Sequence, residues 1–494
     1  MQVASLIPFD LPLPQVLPAI RGNVDYNQFR SQILQIDKLL VQSGLENQFI
    51  QADLQNWRST KTNPSPKAQQ SRQRHCRQAL RCNIVRLLVR EDFRGFAARL
   101  ADSPLLQWFC GLSQVDQIYV PSKSTLQRYA LWWPDQDVRR LVRQFLCQGA
   151  DDPVKLDLVE PVNLETAFLD TTCLGANIHY PVDWVLLRDA TRTLMKAVEL
   201  IRAQGLKHRM EEPQSFVSRI NKLCIQMTHA GKQPQNNRQR KRILRKMDRV
   251  VGIVRAHARR YRELLDAQWA RTDWTRPQTD QVLKRMDLVL EQLPKARKQA
   301  RERILEGKLT DNEEKILSLY EPDVRVIVRN KPGAAVEFGN TLLLGENPQG
   351  LIIDWELFRE TAPADTELLP RSIGRMEEVY GPRLKEVAAD RGFDSKDNQI
   401  GLDSDGIYNG VCPRSPCQME QRARSWKFKR MQRRRSQTEG RIGILKNVFF
   451  DGRVRCKGFV HRQSTVTWTV LTHNLWVIAR LAIAQKEQQG ALAA

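Results

Sequence analysis

The hydrophobic pattern of the chain changes its period near residue 324. Over 184–320 apolar residues recur every three or four positions. One stripe of them consists of Ile243, Met247, Val250, Val254, Tyr261, Leu265 and Trp269. After residue 324 apolar residues alternate instead, in the segments 324–330, 335–345 and 351–358. The first period is typical of helices with one buried face and the second of β-strands. We therefore predict a long helical region followed by antiparallel strands.

Two further apolar segments are predicted to be short strands that end in an aspartate. Residues 164–172 contain Asp170, and residues 384–390 end in Asp390. Other predicted elements are a strand at 406–413, helices at 371–381 and 464–487, and a basic loop at 414–435. If 184–320 is an insertion, the remaining elements form a mixed sheet flanked by helices, which is an α/β architecture.

The segment 431–448 is predicted to be a helix with an unusual polar face. At 100° per residue, Arg435, Glu439 and Lys446 share one side of it. A carboxylate between two cations is suited to holding a metal ion beside a phosphate. Gly440 and Gly443 each cost a helix about 1 kcal/mol, which fits the close approach of another backbone or a DNA strand. Considered alone, the segment is equally well explained as a solvated amphipathic helix with one internal ion pair.

The net charge indicates a polyanionic partner. The 494 residues include 78 Lys and Arg against 55 Asp and Glu, which gives a net charge of +23. Nucleic acid is the usual partner of so basic a chain. A hydrophobic content of 41% argues against general disorder. The arginines and lysines of 238–262 are interpreted either as a solvated surface or as a track for the DNA backbone.

The cysteines and the apolar segments indicate a reducing, cytoplasmic compartment. Nine scattered cysteines do not resemble a secreted disulfide framework. The first twenty residues have no basic segment, and prolines and Asp10 interrupt their apolar run. The apolar segment from Val466 to Ala484 contains His473 and Arg480, so we predict a buried helix and no membrane span.

The first 150 residues are predicted to be mostly helical. Residues 1–25 are expected to be an extended arm, 26–60 helical and 59–75 a basic linker. Several short helices follow, with Ser122 or Ser124 as an N-cap, and form either a helix-turn-helix-like DNA reader or a plain bundle. The predicted domains are 1–70 (arm, helix and basic linker), 71–150 (N-terminal all-helical, DNA-binding), 151–183 with 321–490 (catalytic) and 184–320 (helical insertion).

Asp170, Asp390 and Glu439 are candidate metal ligands. Hard cations such as Mg²⁺ prefer oxygen ligands, and a pair of such ions can activate the attacking oxygen and stabilise the leaving one in phosphodiester chemistry. One aspartate at a strand end is more often a turn or cap residue. Three carboxylates in this order of elements, on a strongly basic chain, favour a catalytic site.

These motifs resemble those of the DDE transposases of bacterial insertion sequences. The matching residues are Leu169–Thr172 with Asn177–Asp183, Ala389–Asn398, and the R-x3-E-x6-K signature of Arg435, Glu439 and Lys446. The resemblance implies a ribonuclease-H-like catalytic domain in which Asp170, Asp390 and Glu439 are the catalytic and metal-binding residues. It also implies two Mg²⁺ ions per active site, with Mn²⁺ as the alternative.

The resemblance further implies how DNA is bound and cut. Double-stranded DNA, both transposon ends and target, is the expected partner, and a homodimer or larger assembly would join two ends near the bacterial nucleoid. Water would cut the phosphodiester at each end, and the new 3′-hydroxyl would then attack target DNA without a covalent protein–DNA intermediate. The expected DNA-contacting residues are Arg435, Lys446, Arg391, Arg433 and Arg434. One position departs from the pattern, since Gln432 stands where related transposases often have a tyrosine.

Several alternatives remain open. The chain could be a non-catalytic DNA-binding protein derived from a transposase, or a nuclease of the same fold. No tyrosine has the surrounding arginines and histidines that a nucleophilic recombinase needs. Four residues could instead bind zinc: Cys412, Cys417, Cys456 and His461. Asp183 and Asp394 are interpreted as loop or cap residues, and His179 and Tyr180 as lining a substrate groove.

Overall fold

The structure is a computed structural model that describes residues 17, 19–60, 64–113, 117–231, 237–331, 334–450 and 452–493. It is an α/β protein, 66% helical, with a mixed sheet of six strands. The predicted α/β class is therefore confirmed. Most of the predicted N-terminal arm, 1–25, lies outside the described residues.

A series of helices precedes the sheet. They are α1 (Val24–Gln42), α2 (Leu45–Thr60), α3 (Pro66–Leu88), α4 (Phe93–Asp102), α5 (Pro104–Cys110), α6 (Lys123–Ala130) and α7 (Asp135–Asp151). Ser122, one of the two predicted N-cap residues, caps α6. Its hydroxyl accepts a hydrogen bond from the Thr125 N–H at 3.3 Å. The linker predicted for 59–75 is wrong after residue 65, because Ser65 caps α3 and Pro66 occupies its first turn.

The sheet combines antiparallel and parallel pairs. Its strands are β1 (Thr166–Gly175), β2 (Arg325–Lys331), β3 (Ala334–Glu346), β4 (Ile352–Leu357), β5 (Glu386–Ala389) and β6 (Tyr408–Asn409). β3 is antiparallel to β1, and its other edge pairs first with β2 and then with β4, also antiparallel. On the opposite side of β1 lie β5 and then β6, both parallel. The three strands predicted from alternation after residue 324 are confirmed.

Between β1 and β2 the chain forms a long helical region, which we call the insertion. Its helices are α8 (Asp183–Ala203), α9 (Pro213–Gly231), α10 (Asn237–Gln268) and α11 (Arg276–Arg301), followed by a π-helical turn, Glu302–Glu306. They enclose a hydrophobic core of their own, in which Met247 and Tyr261 from the predicted stripe are fully buried. Asp183 accepts hydrogen bonds from Gln299 Nε2 and Arg303 Nη1, both at 2.8 Å, so the first and last turns of the insertion are joined.

Helices also follow β4. They are α12 (Asp365–Tyr380), α13 (Lys396–Ser404), α14 (Pro416–Arg422), α15 (Trp426–Ile444) and α16 (Phe459–Ala493). α12 and α16 pack on β4, whereas α15 lies across β1 and β5. The basic loop predicted over 414–435 is wrong, because Ser415 caps α14 and Ser425 caps α15. Arg and Lys are good helix formers, so a high density of them is compatible with helices and does not by itself predict a loop.

One hydrophobic core joins the N-terminal helices to the sheet. It includes Phe49 of α2, Phe145 of α7, Leu169 of β1 and Leu475 of α16, all fully buried. The segment 71–150 therefore packs against the sheet, whereas the insertion keeps a separate core. Among the described helices, α16 included, none combines the length and hydrophobicity needed to span a lipid bilayer.

Candidate active site

Asp170 lies on β1, and Asp390 directly follows the neighbouring strand β5. β1 and β5 run parallel, and their last paired residues are Leu169 and Ala389. Asp170 and Asp390 are the residues that follow this last pair, and hydrogen-bonded strands lie about 4.8 Å apart. β1 continues to Gly175, so Asp170 does not end its strand as predicted. It is instead the first residue of β1 beyond the pairing with β5.

Both aspartates belong to the face of the sheet that α15 covers. Phe168 and Ala388, two residues earlier in each strand, pack against Met431 of α15. Asp390 keeps an extended backbone after the end of β5. Because side chains alternate along a strand, Asp170 and Asp390 project on the same side as Phe168 and Ala388. The sheet thus presents two carboxylates to one helix.

Each aspartate uses one oxygen in a local hydrogen bond. Asp170 Oδ1 accepts from the Thr171 N–H at 2.8 Å, and Asp390 Oδ1 accepts from the Gly392 N–H at 2.8 Å. In the described part of the chain, the second oxygen of each carboxylate has no hydrogen-bond or ion-pair partner. Each side chain is therefore held by its own backbone and keeps one oxygen available to a ligand.

A buried glutamate at the end of β3 fixes the orientation of α15. Glu346 is 1% exposed and receives hydrogen bonds from Arg434 Nη1 at 2.5 Å and Thr438 Oγ1 at 3.2 Å. Arg441 Nε lies 3.4 Å from its other oxygen. The three partners are four and three residues apart, so they form one face of the helix. Sequence reasoning missed Glu346. The available signal was a charged residue at the end of an apolar strand, because such a residue needs a partner of opposite charge if it is buried.

Gln432 ties α15 to the strand end that carries Asp390. Its side-chain amide donates to the carbonyl oxygens of Ala389 at 3.3 Å and Gly410 at 2.6 Å. Its oxygen accepts a hydrogen bond from Arg435 Nε at 3.1 Å. The one position that departs from the transposase signature therefore has a structural contact of its own, which also orients Arg435.

The carboxylates act on one another electrostatically. The pKa of Asp170 is raised to about 6, mainly because the carboxyl is buried and next because Asp390 carries a like charge. Glu439 raises the pKa as well, whereas the Thr171 N–H and the Arg435 guanidinium lower it. The fold therefore brings Asp390, Glu439 and Arg435 within range of the charge of Asp170, although all three are far from it in sequence.

Glu439 stands at the open side of this group. Its side chain is exposed and, over the described residues, has no hydrogen-bond or ion-pair partner. In the same residues no three His, Cys, Asp or Glu side chains are close enough to form a ready-made metal site. The influence of Glu439 on the pKa of Asp170 is compatible with this absence. Charges act on one another over longer distances than those at which side chains share a metal ion. Asp170 and Asp390 are thus adjacent, and Glu439 is near them without closing a ligand set.

The predicted DNA-contacting arginines are placed in different ways. Arg391 and Arg433 are exposed, and Arg435 is half-buried beside the carboxylates. Arg434 pairs with Glu346 and lies over the ring of Phe168 at 5.0 Å, so its guanidinium is engaged within the fold. Arg391 and Arg433 are therefore open to solvent, whereas Arg435 lies within range of Asp170.

Lys446 lies beyond the regular part of the helix. The helix predicted at 431–448 begins at Trp426 and ends at Ile444, and a π-helical turn, Leu445–Phe449, follows. This wider turn changes the spacing that aligned Lys446 with Glu439. A Cβ on Gly440 or Gly443 would meet no described atom within 4 Å, so the face beside Glu439 is open.

A fourth carboxylate borders the site. Asp365, in the first turn of α12, accepts a hydrogen bond from Thr171 Oγ1 at 3.2 Å. A Cβ on Gly392 would lie 2.7 Å from Asp365 Oδ2 and 3.0 Å from Asp390 Oδ1, so a larger residue here would displace these carboxylates. Sequence reasoning missed Asp365 because it placed the start of this helix at residue 371.

The remaining candidate residues have other contacts. The four alternative zinc ligands form no metal-binding group among the described residues. Cys412 contacts Met419 Sδ at 4.0 Å, and Cys456 contacts Thr465 Oγ1 at 3.6 Å. Asp394 is buried and accepts hydrogen bonds from Gln399 Nε2 and the Arg414 N–H, both at 2.8 Å. His179 and Tyr180 are exposed, and Tyr180 packs on the edge of Phe338.

Compared with models of known protein families, with curated proteins and with solved structures, the chain gives no match. The candidate site therefore rests on its own residues and geometry.

Proposed function

We propose that the chain is a DDE transposase with a ribonuclease-H-like catalytic domain. It would bind double-stranded DNA at the terminal repeats of a transposon, cut it, and join the new end to target DNA. The observation that carries the proposal is the position of Asp170 on β1 and Asp390 directly after β5, the residues that follow the last pair of these two strands, beneath the helix that bears Arg435 and Glu439. The sheet supports it too, with antiparallel strands on one side of β1 and parallel strands on the other.

The donor set fits Mg²⁺, with Mn²⁺ as the alternative. Asp170, Asp390 and Glu439 would hold the ions, because carboxylate oxygens are the ligands that such cations prefer. Burial and like charges raise the pKa of Asp170, and a bound cation would offset this repulsion. When bound, a pair of these ions supplies activation of the attacking oxygen and stabilisation of the leaving oxygen.

The surrounding residues would position DNA. Arg435 can donate two parallel hydrogen bonds to a phosphate, and Gln432 fixes its orientation. The open face at Glu439, Gly440 and Gly443 leaves room for a strand to approach the carboxylates. Arg391, Arg433 and Lys446 would add positive charge around this face. A homodimer or larger assembly, acting at the bacterial nucleoid, would hold the two transposon ends together.

A strand-cleavage and joining assay tests the proposal. The substrate is DNA carrying the inverted repeats that flank the gene, with Mg²⁺ and a target plasmid. We expect the wild-type chain to cut and join, and Asp170→Asn, Asp390→Asn and Glu439→Gln to lose both steps while still binding DNA. The matched controls are Asp403→Asn and Glu420→Gln, which change exposed carboxylates away from the site.

The outcomes separate the alternatives. Cleavage without joining would identify a nuclease of the same fold. DNA binding without cleavage by the wild-type chain would identify a non-catalytic DNA-binding protein. Cleavage at the wild-type rate by one of the three variants would remove that residue from the metal site.

A further inference from the structure

The outer face of α10 carries a row of four arginines. Arg238, Arg242, Arg245 and Arg249 follow one another at steps of four, three and four residues, so they share one side of the helix. All four are exposed. The opposite side of α10 is buried in the core of the insertion, through residues such as Met247. We call these four residues the arginine row.

The arginine row has no acidic partner. Among the described residues no carboxylate lies within ion-pair distance of any of the four side chains, and none of them donates a hydrogen bond. The nearest acidic residue on the helix, Asp248, is occupied by Arg297 of α11 at 2.7 Å. The positive charge of the row is therefore not neutralised by any residue that the structure describes.

Some other arginines of the insertion are neutralised. Arg262 of α10 pairs with Asp266 at 2.8 Å and Asp287 at 2.9 Å. Arg303 pairs with Asp183 at 2.8 Å. The same helix therefore carries both paired and unpaired arginines, and the four residues of the row are among the unpaired ones.

The arginine row does not stabilise the helix. Like charges three or four residues apart destabilise a helix by about 0.2–0.5 kcal/mol per pair. The row contains three such neighbouring pairs. A surface that needed only solubility could alternate acidic and basic residues at these positions. The unpaired charge is therefore available to a partner.

We propose that the arginine row binds the phosphate backbone of duplex DNA. With a rise of 1.5 Å per residue, the row is about 16 Å long, enough to follow several phosphates. Guanidinium groups bind phosphate oxygens in pairs of hydrogen bonds. Contacts of this kind position DNA without reading its sequence. The apolar side of α10 is buried in the core, so the helix has no apolar face with which to enter a membrane.

This inference rests on DNA being the partner, as in the proposed function, but it does not depend on the carboxylate site. The row lies in the insertion, whereas the carboxylates lie on the sheet and α15. A chain with Asp390→Asn would therefore still bind DNA through the row. Binding and cleavage can be measured separately.

The test is the salt dependence of binding to a duplex of unrelated sequence. The full chain is compared with a variant in which all four arginines of the row are replaced by glutamine. We expect the slope of log affinity against log salt to fall by about 3 to 4, since each phosphate contact contributes about 0.9. Affinity at low salt should fall by at least about tenfold.

A control variant makes the same change in net charge elsewhere in the insertion. It replaces four exposed lysines by glutamine: Lys196, Lys222, Lys284 and Lys308. This variant should keep the wild-type slope. Circular dichroism melting shows whether both variants fold, and glutamine in the row should leave the melting temperature unchanged or higher because it removes repulsion.

The results separate the two proposals. If the wild-type chain binds no DNA, DNA is not the partner, and both proposals fall. If the wild-type chain binds DNA and the row variant keeps its affinity and slope, only the arginine row is excluded. Row-dependent binding to vesicles containing phosphatidylserine, in place of duplex DNA, would also overturn the inference.

Discussion

α10 and α15 are both rich in arginine, but the fold uses the charge of the two helices in opposite ways. On α15, Arg434 and Arg441 are held by the buried Glu346. On α10, the arginine row has no acidic partner in the described part of the chain. The first arrangement fixes a helix to the sheet, and the second leaves charge on the surface.

The difference comes from residues distant in sequence. Glu346 is the last residue of β3, and it receives α15 because the helix crosses the neighbouring β1. The contacts with Glu346 fix the rotation of α15 about its axis. They therefore determine where the neighbouring side of the helix, which bears Arg435 and Glu439, faces. A run of arginines in the sequence does not show on its own whether the side chains pair with a buried carboxylate or stay unpaired on the surface. The following predictions test this comparison, beginning with the largest effect.

Replacing Glu346 by glutamine should release α15. The change leaves Arg434 and Arg441 partly buried without a counter-charge, and breaking a buried ion pair from one side costs about 3–5 kcal/mol. The free energy of unfolding in urea measures the effect, with the exposed Glu420→Gln as the matched control. A loss no larger than that of the control would show that Glu346 does not hold the helix.

Replacing Asp170 by asparagine should stabilise the fold at neutral pH while removing activity. An unfolded aspartate ionises near 3.8, whereas the pKa of Asp170 in the fold is about 6. The ionised form is therefore penalised above about pH 6, and the penalty declines to nothing as the pH falls below about 4. We expect a gain of about 2 to 3 kcal/mol near pH 7.5 that shrinks between pH 6 and 4. An equal difference from wild type at both ends of this range would contradict the raised pKa.

Replacing Gln432 by alanine should loosen the site without unfolding it. The side chain loses its hydrogen bonds to Ala389 and Gly410, for a cost of about 1 to 2 kcal/mol. Since Gln432 positions Arg435, the turnover of DNA cleavage should fall more than DNA affinity. Gln437→Ala, on the exposed side of the same helix, is the control. Equal activity in the two variants would mean that Gln432 has no positioning role.

The smallest effect is expected where arginines are unpaired. Arg242→Gln on α10 should change the free energy of unfolding by no more than about 1 kcal/mol, in the stabilising direction, because it removes two of the three like-charge pairs. Arg434→Gln on α15 should be clearly destabilising, because Glu346 would lose a partner. Urea unfolding of the two variants side by side measures the contrast. Similar losses in both would end the distinction between the helices.

The sequence predicted the parts of the fold that repeat a local pattern. Alternation identified β2, β3 and β4, and the three-to-four spacing of apolar residues identified the buried side of α10. Ser425 and the apolar residues after it also mark the start of α15, whereas the density of arginine and lysine alone predicts a loop over the same residues. The capping serine is the better guide in this segment, because arginine and lysine are common in helices as well as in loops.

The candidate site was predictable only in its residue types. Motif resemblance selected Asp170, Asp390 and Glu439, and the register of β1 and β5 brings the first two together. The contacts of Glu346 and Gln432 depend on how α15 crosses the sheet. Such contacts join residues far apart in the chain, and no local spacing encodes them.

The most direct test of the proposed site is metal binding by the folded chain. Electron paramagnetic resonance of Mn²⁺ gives the affinity of the wild-type chain, of Asp170→Asn, Asp390→Asn and Glu439→Gln, and of the control Asp403→Asn. We predict that the wild-type chain and the control bind Mn²⁺ equally, and that each of the three variants binds at least about tenfold more weakly. Equal binding by all five proteins would contradict a metal site formed by these three carboxylates.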